Sequence, residues 1–350
     1  SNGINVFVVR LEDFVRDYAE PKGIVEHVEK TALDLVESLS QFKNRTGSPA
    51  MFALLPCSPR ISGELKLKLN DITASLENRL RSIPGLVIIS TEDLSKASFN
   101  TDSGYDGLSD ELAHVPFCEA SFAALALAIA RKVHAICVPA RKVLVLDCDN
   151  TIWRGVVGED GPDGILLPPA FLEIQRFAVE VQSQGILICL VSKNAEQDVL
   201  DVFEKRSDML LKMDHIVSYR INWASKHKNL ESLAGELNLG LDSFVFLDDN
   251  PVECAQIRSA LPKVMTLQVP TDDMVFSFLD HLWAFDKLTV TEEDAKRTQM
   301  YRENNARQQL EATTTDISEF LASLELVIDI DEPENEEWSR LAQLTQRTNQ

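Results

Sequence analysis

Short apolar runs alternate along the chain with longer segments in which apolar residues recur every three or four positions. The short runs indicate strands, and the longer segments indicate amphipathic helices. In the first part of the chain the predicted strands are residues 4–9, 51–55 and 86–90. The predicted helices there are residues 24–42, 63–81 and 120–135. This alternation predicts a small β/α domain with a parallel sheet over residues 1–138, with a polar surface loop at 98–110.

The alternation restarts after a junction at residues 136–142, and its strands are then near-continuous apolar runs. Such runs are typical of parallel strands that are covered on both faces. The predicted strands are residues 143–146, 186–191, 244–247 and 264–269. The predicted helices are residues 170–184, 195–205 and 229–237. We therefore predict a second α/β domain over residues 139–290.

A third segment, residues 291–350, is predicted to be a helical extension that contains one further apolar run at 324–330. The chain stops at Gln350 inside a pattern that is typical of an unfinished helix. We therefore expect it to be part of a larger polypeptide.

Polar residues follow three of the strands predicted in the second domain. The segments are Asp147-Cys148-Asp149-Asn150-Thr151, Ser192-Lys193-Asn194 and Asp248-Asp249-Asn250. Lys226 lies in the connection between the second and third of these strands. The carboxyl ends of parallel strands meet at one edge of a sheet, where open α/β sheets bind ligands. Three or more carboxylates that converge there need a cation, and carboxylate oxygens suit Mg²⁺, so we predict a magnesium site at this edge.

The residue types in these segments suit phosphoryl transfer. An aspartate such as Asp147 can attack phosphorus, and a carboxylate two residues on, Asp149, can act as general acid and base. Ser192 and Lys226 can hold the non-bridging oxygens of the phosphoryl group. A calcium loop is the simplest alternative for Asp-x-Asp-x-Thr, but its sixth and twelfth positions are Ile152 and Gly158 instead of Gly and Glu.

Taken together, the four segments resemble the motifs of the haloacid dehalogenase (HAD) superfamily. The matching residues are Asp147–Thr151, Ser192, Lys226 and Asp248-Asp249. The resemblance implies a HAD-type, Rossmann-like parallel sheet. The gaps between the motifs, residues 152–191, 193–225 and 227–247, are too short for a separate cap domain. We therefore expect a site that is open to something large.

The amino-acid sequence around the motifs is similar to that of the FkbH-like proteins of polyketide synthase loading modules. The similar segments are Asp149–Gly161, Ser192–Asn194, Ile221–Trp223, Phe246–Glu253, Thr291–Asp294 and Gln343–Gln350. The first domain is similar to that family's leading domain, which is of the SGNH-hydrolase (lipase-like) type, through Asp110–Pro116. It is predicted to be degenerate as an enzyme, because no Gly-Asp-Ser motif precedes its first helix.

This resemblance implies a Mg²⁺-dependent glyceryl transferase and phosphatase. Such an enzyme removes phosphate from 1,3-bisphosphoglycerate and loads the D-glyceryl group onto the phosphopantetheine thiol of an acyl carrier protein. The implied roles are phosphoryl acceptor for Asp147 and general acid and base for Asp149. The implied metal ligands are Asp147, Asp149, Asp248 and Asp249. The substrate-binding set is Thr151, Ser192, Lys193, Asn194, Lys226 and Arg154.

Acyl transfer needs a thiol, and three routes stay open. Cys148 can carry the acyl group, but strand alternation would turn its side chain into the core, where it would only pack. Cys254 is a second candidate. In the third route the carrier thiol attacks directly, without an enzyme thioester.

Three other residues near the motifs have two interpretations. Arg154 can bind the substrate's second phosphate or be a solvated arginine on a turn. Trp223 is predicted to be a packing residue, although it could also shape the pocket. His114 in the first domain is predicted to be structural, because no nucleophile is paired with it.

The net charge and the cysteine pattern limit the partners and the cellular compartment that this chain can have. The net charge of −21 argues against nucleic acid and against an anionic membrane surface. The six cysteines have no metal or disulfide spacing, which favours a cytoplasmic protein. Two other functions stay open: a phosphatase acting on a small phosphomonoester, and a non-catalytic docking module of a synthase.

Overall fold

The computed structural model describes residues 3–16, 23–288, 294 and 296–303, with only the backbone at 101 and 102. It contains two separate parallel sheets, and both belong to one compact unit, Ser1–Gln299. The predicted domain boundaries, at 138/139 and 290/291, therefore stay predictions. The apolar run at 324–330 lies outside the described residues.

The first sheet has three parallel strands in the order β1-β2-β3: Asn5–Arg10, Ala50–Leu55 and Leu86–Ile89. Its helices are α1 (Ile24–Arg45), α2 (Gly63–Arg81), α3 (Thr91–Lys96), α4 (Thr101–Gly104), α5 (Gly107–Ala113) and α6 (Glu119–Cys137). Side chains of the central strand β2 alternate between two apolar cores. Phe52 and Leu54 pack with α1 and α2, whereas Ala53 and Leu55 pack with α6. This sheet is the β/α arrangement predicted for the first part of the chain.

The segment 98–110, predicted to be a loop, contains α4 and the start of α5. Its polar residues cap these helices: the Asn100 side chain accepts a hydrogen bond from the Ser103 amide, and Asp106 accepts one from the Ser109 amide. Asparagine and aspartate are favoured at helix N-caps for this reason. The loop prediction was therefore wrong, because the same polar residues indicate either a loop or the beginning of a helix.

A buried ionic cluster fixes α5 against the carboxyl end of β1. The Arg10 guanidinium, 2% exposed, lies 2.9 Å from Glu12 and 3.1 Å from Asp110. Tyr105 donates a hydrogen bond of 2.9 Å to Asp110. Although burial opposes the shift, hydrogen bonds from Arg10, Arg16 and Tyr105 bring the pKa of Asp110 down to about 2. His114 ends α5 with a left-handed backbone (φ 55°) and contacts Arg16.

Among the described residues, one helix (α6) is long and apolar enough to cross a membrane by length and composition. Its buried side chains include Ala124, Leu125 and Ala128, which belong to the core beneath β2 and β3. A core helix passes the same test as a membrane span, so this is weak evidence for a membrane.

The second sheet has five parallel strands in the order β6-β5-β4-β7-β8. They are β4 (Val143–Leu146), β5 (Leu187–Ser192), β6 (Ile216–Ile221), β7 (Phe244–Asp248) and β8 (Met265–Gln268). Its helices are α7 (Val157–Gly164), α8 (Pro169–Ser183), α9 (Glu196–Lys205), α10 (Lys226–Leu237), α11 (Pro251–Ala260) and α12 (Val275–Asp280). No second domain is inserted between β4 and β8, a stretch that the structure describes completely. This confirms the predicted α/β fold class.

Strand β6 was missed by the sequence analysis. It is an edge strand, and its middle residues Ser218, Tyr219 and Arg220 are only partly buried. Without a continuous apolar run its pattern does not stand out from a loop. Because β6 precedes Lys226, all four motif segments follow strands, instead of the three that were predicted.

Gly185 allows a prediction about stability. Its φ is +86°, and a Cβ atom there would lie 2.5 Å from the backbone oxygen of Asp294. We expect Gly185→Ala to lower the free energy of unfolding by roughly 1 to 3 kcal/mol, because an L side chain is strained in this conformation. The matched control is Gly235→Ala inside α10, where an added Cβ atom would meet open space. This change should raise the free energy of unfolding by about 0.5 to 1 kcal/mol. Urea unfolding measures both, and equal changes would contradict the prediction.

Candidate active site

A cavity of about 190 Å³ lies at the carboxyl ends of the strands of the second sheet. The strand order reverses at β4, with β5 on one side and β7 on the other, and such a reversal opens a crevice for ligands. Every side chain that lines the cavity is polar or charged: Asp147, Asp149, Asn150, Ser192, Lys193, Asn194, Lys226, Asp249, Asn250 and Glu253. The structure thus brings residues of all four motif segments together.

Lys226 lies at the centre of the buried charges. Its Nζ is 2.9 Å from Oδ1 of Asp147 and 2.6 Å from Oδ2 of Asp248. Ser192 Oγ donates a hydrogen bond of 2.8 Å to the same Oδ1 of Asp147. The lysine and Asp147 are both at least nine-tenths buried, and Asp248 is wholly buried. One cation therefore bridges two carboxylates that water barely reaches.

Three carboxylates converge closely enough to hold a metal ion. Oxygens of Asp147, Asp248 and Asp249 lie within 4.8 Å of one another. Lys226 is the cation at this cluster, so the three carboxylates leave an excess of negative charge. A set of carboxylate oxygens with excess charge fits a hard divalent cation such as Mg²⁺.

Asp149, also predicted to bind the metal, lies outside this group of three. Its Oδ1 accepts hydrogen bonds from the indole N–H of Trp153 (2.8 Å) and from the Val157 amide (3.1 Å). Its Oδ2 accepts one from Asn194 (3.1 Å). Trp153 begins a flap, residues 153–166, whose ends are paired through the backbones of Arg154 and Leu166. The flap therefore orients the Asp149 carboxylate.

Burial and mutual charge shift the acid–base properties of the site. Burial raises the pKa of Asp147 to about 7; Lys226 opposes this rise and the charge of Asp248 adds to it. Burial lowers the pKa of Lys226, but the carboxylates of Asp147 and Asp248 outweigh it, and the net shift is upward. Burial and Asp248 also raise the pKa of Asp249. Without a metal ion, the carboxylate cluster thus resists full ionisation.

Other residues of the predicted substrate-binding set have partners of their own. Thr151 Oγ1 accepts a hydrogen bond from the Asp249 amide and so joins two motif segments. Lys193 lines the cavity and lies 2.6 Å from Glu253. Arg154 does not line the cavity. It pairs with Asp272 and stacks over Phe171, so to bind a second phosphate it would have to leave Asp272.

None of the six cysteines, all of them described, lines the cavity. Cys148 is wholly buried in the apolar core of the second sheet, and burial raises its pKa well above the usual value. Cys254 is wholly buried too, and burial raises its pKa to about 11. Neither thiol is poised as a nucleophile, since the reactive form is the thiolate. The covalent role of Cys148 stays a prediction, and it would require this side chain to leave the core.

Three residues that line the cavity were given no role by the sequence analysis: Asn150, Asn250 and Glu253. The two asparagines were included in the polar segments predicted to meet there, and the placement of a fourth residue, Trp223, was wrong. The two asparagines directly follow motif aspartates, and this position was the available signal. Trp223, predicted to be a packing residue, is 75% exposed, so that prediction was wrong. The pattern could not distinguish a core tryptophan from one on a loop after a strand that had not been recognised.

No family model and no curated protein matches the chain. Among solved structures, the chain is similar to the N-terminal part of the protein BF1531 from Bacteroides fragilis, which contains a phosphatase domain and was solved in complex with Mg. The identity is 24% with a TM-score of 0.68, over 81% of this chain and 80% of that one. The Pnkp1/Rnl/Hen1 RNA repair complex matches with 15% identity and a TM-score of 0.28, over 76% of this chain and 87% of that chain.

The likeness to BF1531 shows a shared fold. With its strand order and motif positions, the second sheet is a HAD-type α/β fold without a cap within the described residues. The likeness of the first sheet to SGNH hydrolases stays a prediction.

Lys226, the lysine that bridges Asp147 and Asp248, allows a prediction about stability and metal binding. We expect Lys226→Met to lower the free energy of unfolding by about 3 kcal/mol at neutral pH in EDTA, because two buried carboxylates lose their cation. Millimolar Mg²⁺ should restore part of this loss by binding the folded state. The control Lys205→Met removes an exposed pair with Asp201 and should cost less than about 1 kcal/mol without any response to Mg²⁺. An equal response in both variants would contradict the prediction.

The pKa of Asp147 predicts a dependence of stability on pH. Its folded-state pKa of about 7 lies above the unfolded value of about 3.9. The stability contributed by the protonated group is therefore complete below about pH 4 and is lost as the pH rises through about 7. In EDTA we expect Asp147→Asn to gain roughly 1 to 3 kcal/mol over the wild type between these limits. Urea titrations at several pH values measure the difference, and a constant difference would refute the assignment.

Proposed function

We propose that the chain is a Mg²⁺-dependent enzyme that transfers phosphoryl groups, with Asp147 as the nucleophile. The observation that carries the proposal is the position of Asp147 beside Lys226 and Ser192 and within reach of Asp248 and Asp249. The fold shared with a Mg-bound phosphatase-domain protein supports it. A non-catalytic docking module would have no use for buried carboxylates that repel each other.

The first chemical step follows from these positions. An oxygen of Asp147 attacks phosphorus and forms an acyl phosphate, while the bond from phosphorus to the substrate oxygen breaks. The leaving oxygen takes a proton from Asp149, which must therefore enter the step protonated. Water then attacks the phosphoaspartate and gives its proton to Asp149, so that inorganic phosphate leaves and Asp147 is regenerated.

Asp149 is held in position for both proton transfers. Its carboxylate accepts hydrogen bonds from Trp153, Val157 and Asn194. The residue also lines the cavity, where it can exchange a proton with the leaving oxygen in the first step and with water in the second.

Two sets of groups would stabilise the negative charge of a phosphoryl group in the cavity. Lys226 and Ser192 hold the non-bridging oxygens, and Asn194 donates to Ser192 Oγ at 3.1 Å and keeps that hydroxyl in place. Asp147, Asp248 and Asp249 would hold Mg²⁺, which neutralises charge on the phosphoryl oxygens when bound.

The specific reaction we propose is glyceryl transfer from 1,3-bisphosphoglycerate to the phosphopantetheine thiol of an acyl carrier protein, in a polyketide synthase of the cytoplasm. The thiol sulfur attacks the carbonyl carbon, the bond from that carbon to the oxygen of the 1-phosphate breaks, and the thiol proton leaves with the released phosphate. The 3-phosphate ester is cleaved through Asp147. Two observations support it. No cap covers the cavity within the described residues, so a protein-borne thiol can reach it. Burial of Cys148 and Cys254 favours direct attack by the carrier thiol.

The second candidate is a phosphatase acting on a small phosphomonoester. It is favoured by the small, wholly polar cavity and by the absence of a cysteine among its lining residues. An open site disfavours it, because enzymes for small substrates usually exclude water with a lid.

Intact-protein mass spectrometry with Mg²⁺ and fresh 1,3-bisphosphoglycerate tests the proposal. We expect the wild type to release phosphate and to load glyceryl onto a holo carrier protein. The Asp147→Asn variant should lose the release of the 3-phosphate by at least about a thousandfold, because the nucleophile is absent. The control is Asp273→Asn, an exposed position in the second half, which should change neither rate. Undiminished release of the 3-phosphate by the Asp147→Asn variant would refute the role of Asp147 as the nucleophile.

The same experiment distinguishes the thiol routes and the two functions. With direct attack by the carrier thiol, Cys148→Ala still loads the carrier and no acyl adduct forms on the enzyme. Loss of both an adduct and loading would instead establish Cys148 as the acyl carrier. Phosphate release by the wild type without any loading would leave the phosphatase.

A further inference from the structure

A second cavity lies beside the edge strand β8. It has a volume of about 430 Å³, and its lining shares no residue with that of the active-site cavity. The lining comes from the end of α6, the junction before β4, strand β8, and α12 with the residues that follow it. Because α6 packs on the first sheet, elements of both sheets line this cavity. Cavities of this size between two structural parts are typical ligand sites.

The lining of this second cavity is mostly apolar. Eight of its eleven residues are apolar, and among them Met265 and Leu267 lie two positions apart in β8, so their side chains share one face of the strand. The rings of Trp283 and His134, which also line the cavity, meet edge to face with 6.1 Å between their centroids. Apolar and aromatic walls of this kind bind the organic part of a ligand.

Arg141 is anchored at the same cavity by the main chain. Its Nη1 donates to the carbonyl oxygens of Asp242 and of Lys263 (3.1 Å), in the connections that lead into β7 and β8. Its own amide donates to the carbonyl oxygen of Ala284 (2.7 Å). Because Arg141 also precedes β4, it lies at the amino ends of the strands, whereas the active site lies at their carboxyl ends.

No carboxylate neutralises the charge of Arg141 among the described residues. All of its side-chain hydrogen bonds there come from Nη1 and go to main-chain carbonyl oxygens. The Nε–H and Nη2–H groups have no partner within the described chain, and they form the edge of the guanidinium that can engage both oxygens of a carboxylate. This half-buried and fixed guanidinium is therefore prepared to bind an anion.

The other ionisable side chains of the lining favour the same ligand charge. They are His134 and His281, and no acidic residue lines the cavity, although the chain contains 55 Asp and Glu residues. Nδ1 of His281 lies 2.7 Å from the carbonyl oxygen of Ser277, which favours the tautomer that donates its proton there. Nε2 is then the nitrogen that can take up a proton and donate to an anion. The lining thus suits a ligand with an apolar body and one negative end.

We propose that this cavity binds a small organic acid, with the hydrocarbon part against Met265, Leu267 and Phe278 and the carboxylate on the Nε–H and Nη2–H edge of Arg141. A planar carboxylate fits this edge through two parallel hydrogen bonds. The inference goes beyond the proposed function and does not depend on it, since no residue of this cavity takes part in the chemistry at Asp147. We call the cavity the acid site.

Isothermal titration calorimetry of the full chain with three probes tests the acid site. Octanoate has both parts of the ligand, acetate has only the carboxylate, and octylamine has the same hydrocarbon chain with a positive end. We expect octanoate to bind at least about tenfold more tightly than either of the others, because a charge-assisted hydrogen bond or a few buried methylene groups account for such a factor. Acetate or octylamine binding as tightly as octanoate would overturn the inference, and so would the absence of octanoate binding.

Two substitutions locate the binding. Arg141→Met should weaken octanoate binding by about tenfold or more without weakening octylamine binding, because only the partner of the carboxylate is lost. His281→Glu places a negative charge at an exposed position of the lining, and it should reverse the preference, so that octylamine binds more tightly than octanoate. Because His281 is exposed, this variant keeps the test decisive even if Arg141→Met does not fold.

The matched control is Arg258→Met, which removes the same charge from an exposed arginine. Arg258 also donates to a main-chain carbonyl oxygen, that of Thr266 in β8, but it does not line the acid site. The control should bind octanoate as the wild type does. Equal losses in Arg141→Met and Arg258→Met would show a general effect of charge and contradict the proposal. Unchanged octanoate binding by His281→Glu would contradict it as well.

Discussion

One buried cation holds together the site on which this protein's chemistry depends. The Lys226 ammonium bridges Asp147 and Asp248, two carboxylates removed from water at the ends of neighbouring strands. Burying a charge is costly unless it is paired, so each of the three groups needs the other two. The pairing also leaves Asp249 as excess negative charge beside them, and that excess creates the demand for a metal ion. Structural stability and metal affinity therefore have the same origin.

Strand register brings these carboxylates together. Leu146 of β4 pairs with Leu247 of β7, so Asp147 and Asp248, each one position further along, are also neighbours. The Asp147 amide donates to the Leu247 carbonyl and extends the ladder as far as the reacting residue. Adjacent strands lie about 4.8 Å apart, which sets the scale of the carboxylate cluster. The same alternation turns Cys148 into the core, so position along the strand separates a reactive side chain from an inert one.

The active-site cavity is suited to one part of a reaction, the handling of a phosphoryl group. It is small, and every side chain that lines it is polar or charged. No domain is inserted between β4 and β8, a stretch that the structure describes completely, so no cap from that stretch encloses the cavity. The flap acts on the cavity through Trp153, whose indole N–H donates a hydrogen bond to Asp149 and so orients its carboxylate.

The sequence by itself determined the parallel strands with continuous apolar runs, the α/β class and the four segments that meet at the site. Those features are local, because a run of consecutive residues is enough to define a buried strand or the motif that follows it. Tertiary structure alone decided the rest. The edge strand β6 has partly buried polar residues in its middle. Asp149 accepts a hydrogen bond from Trp153 and lies outside the group of three carboxylates that could hold a metal ion. Trp223 is exposed to solvent. Each outcome depends on which distant residues become neighbours, and residue order does not encode that locally.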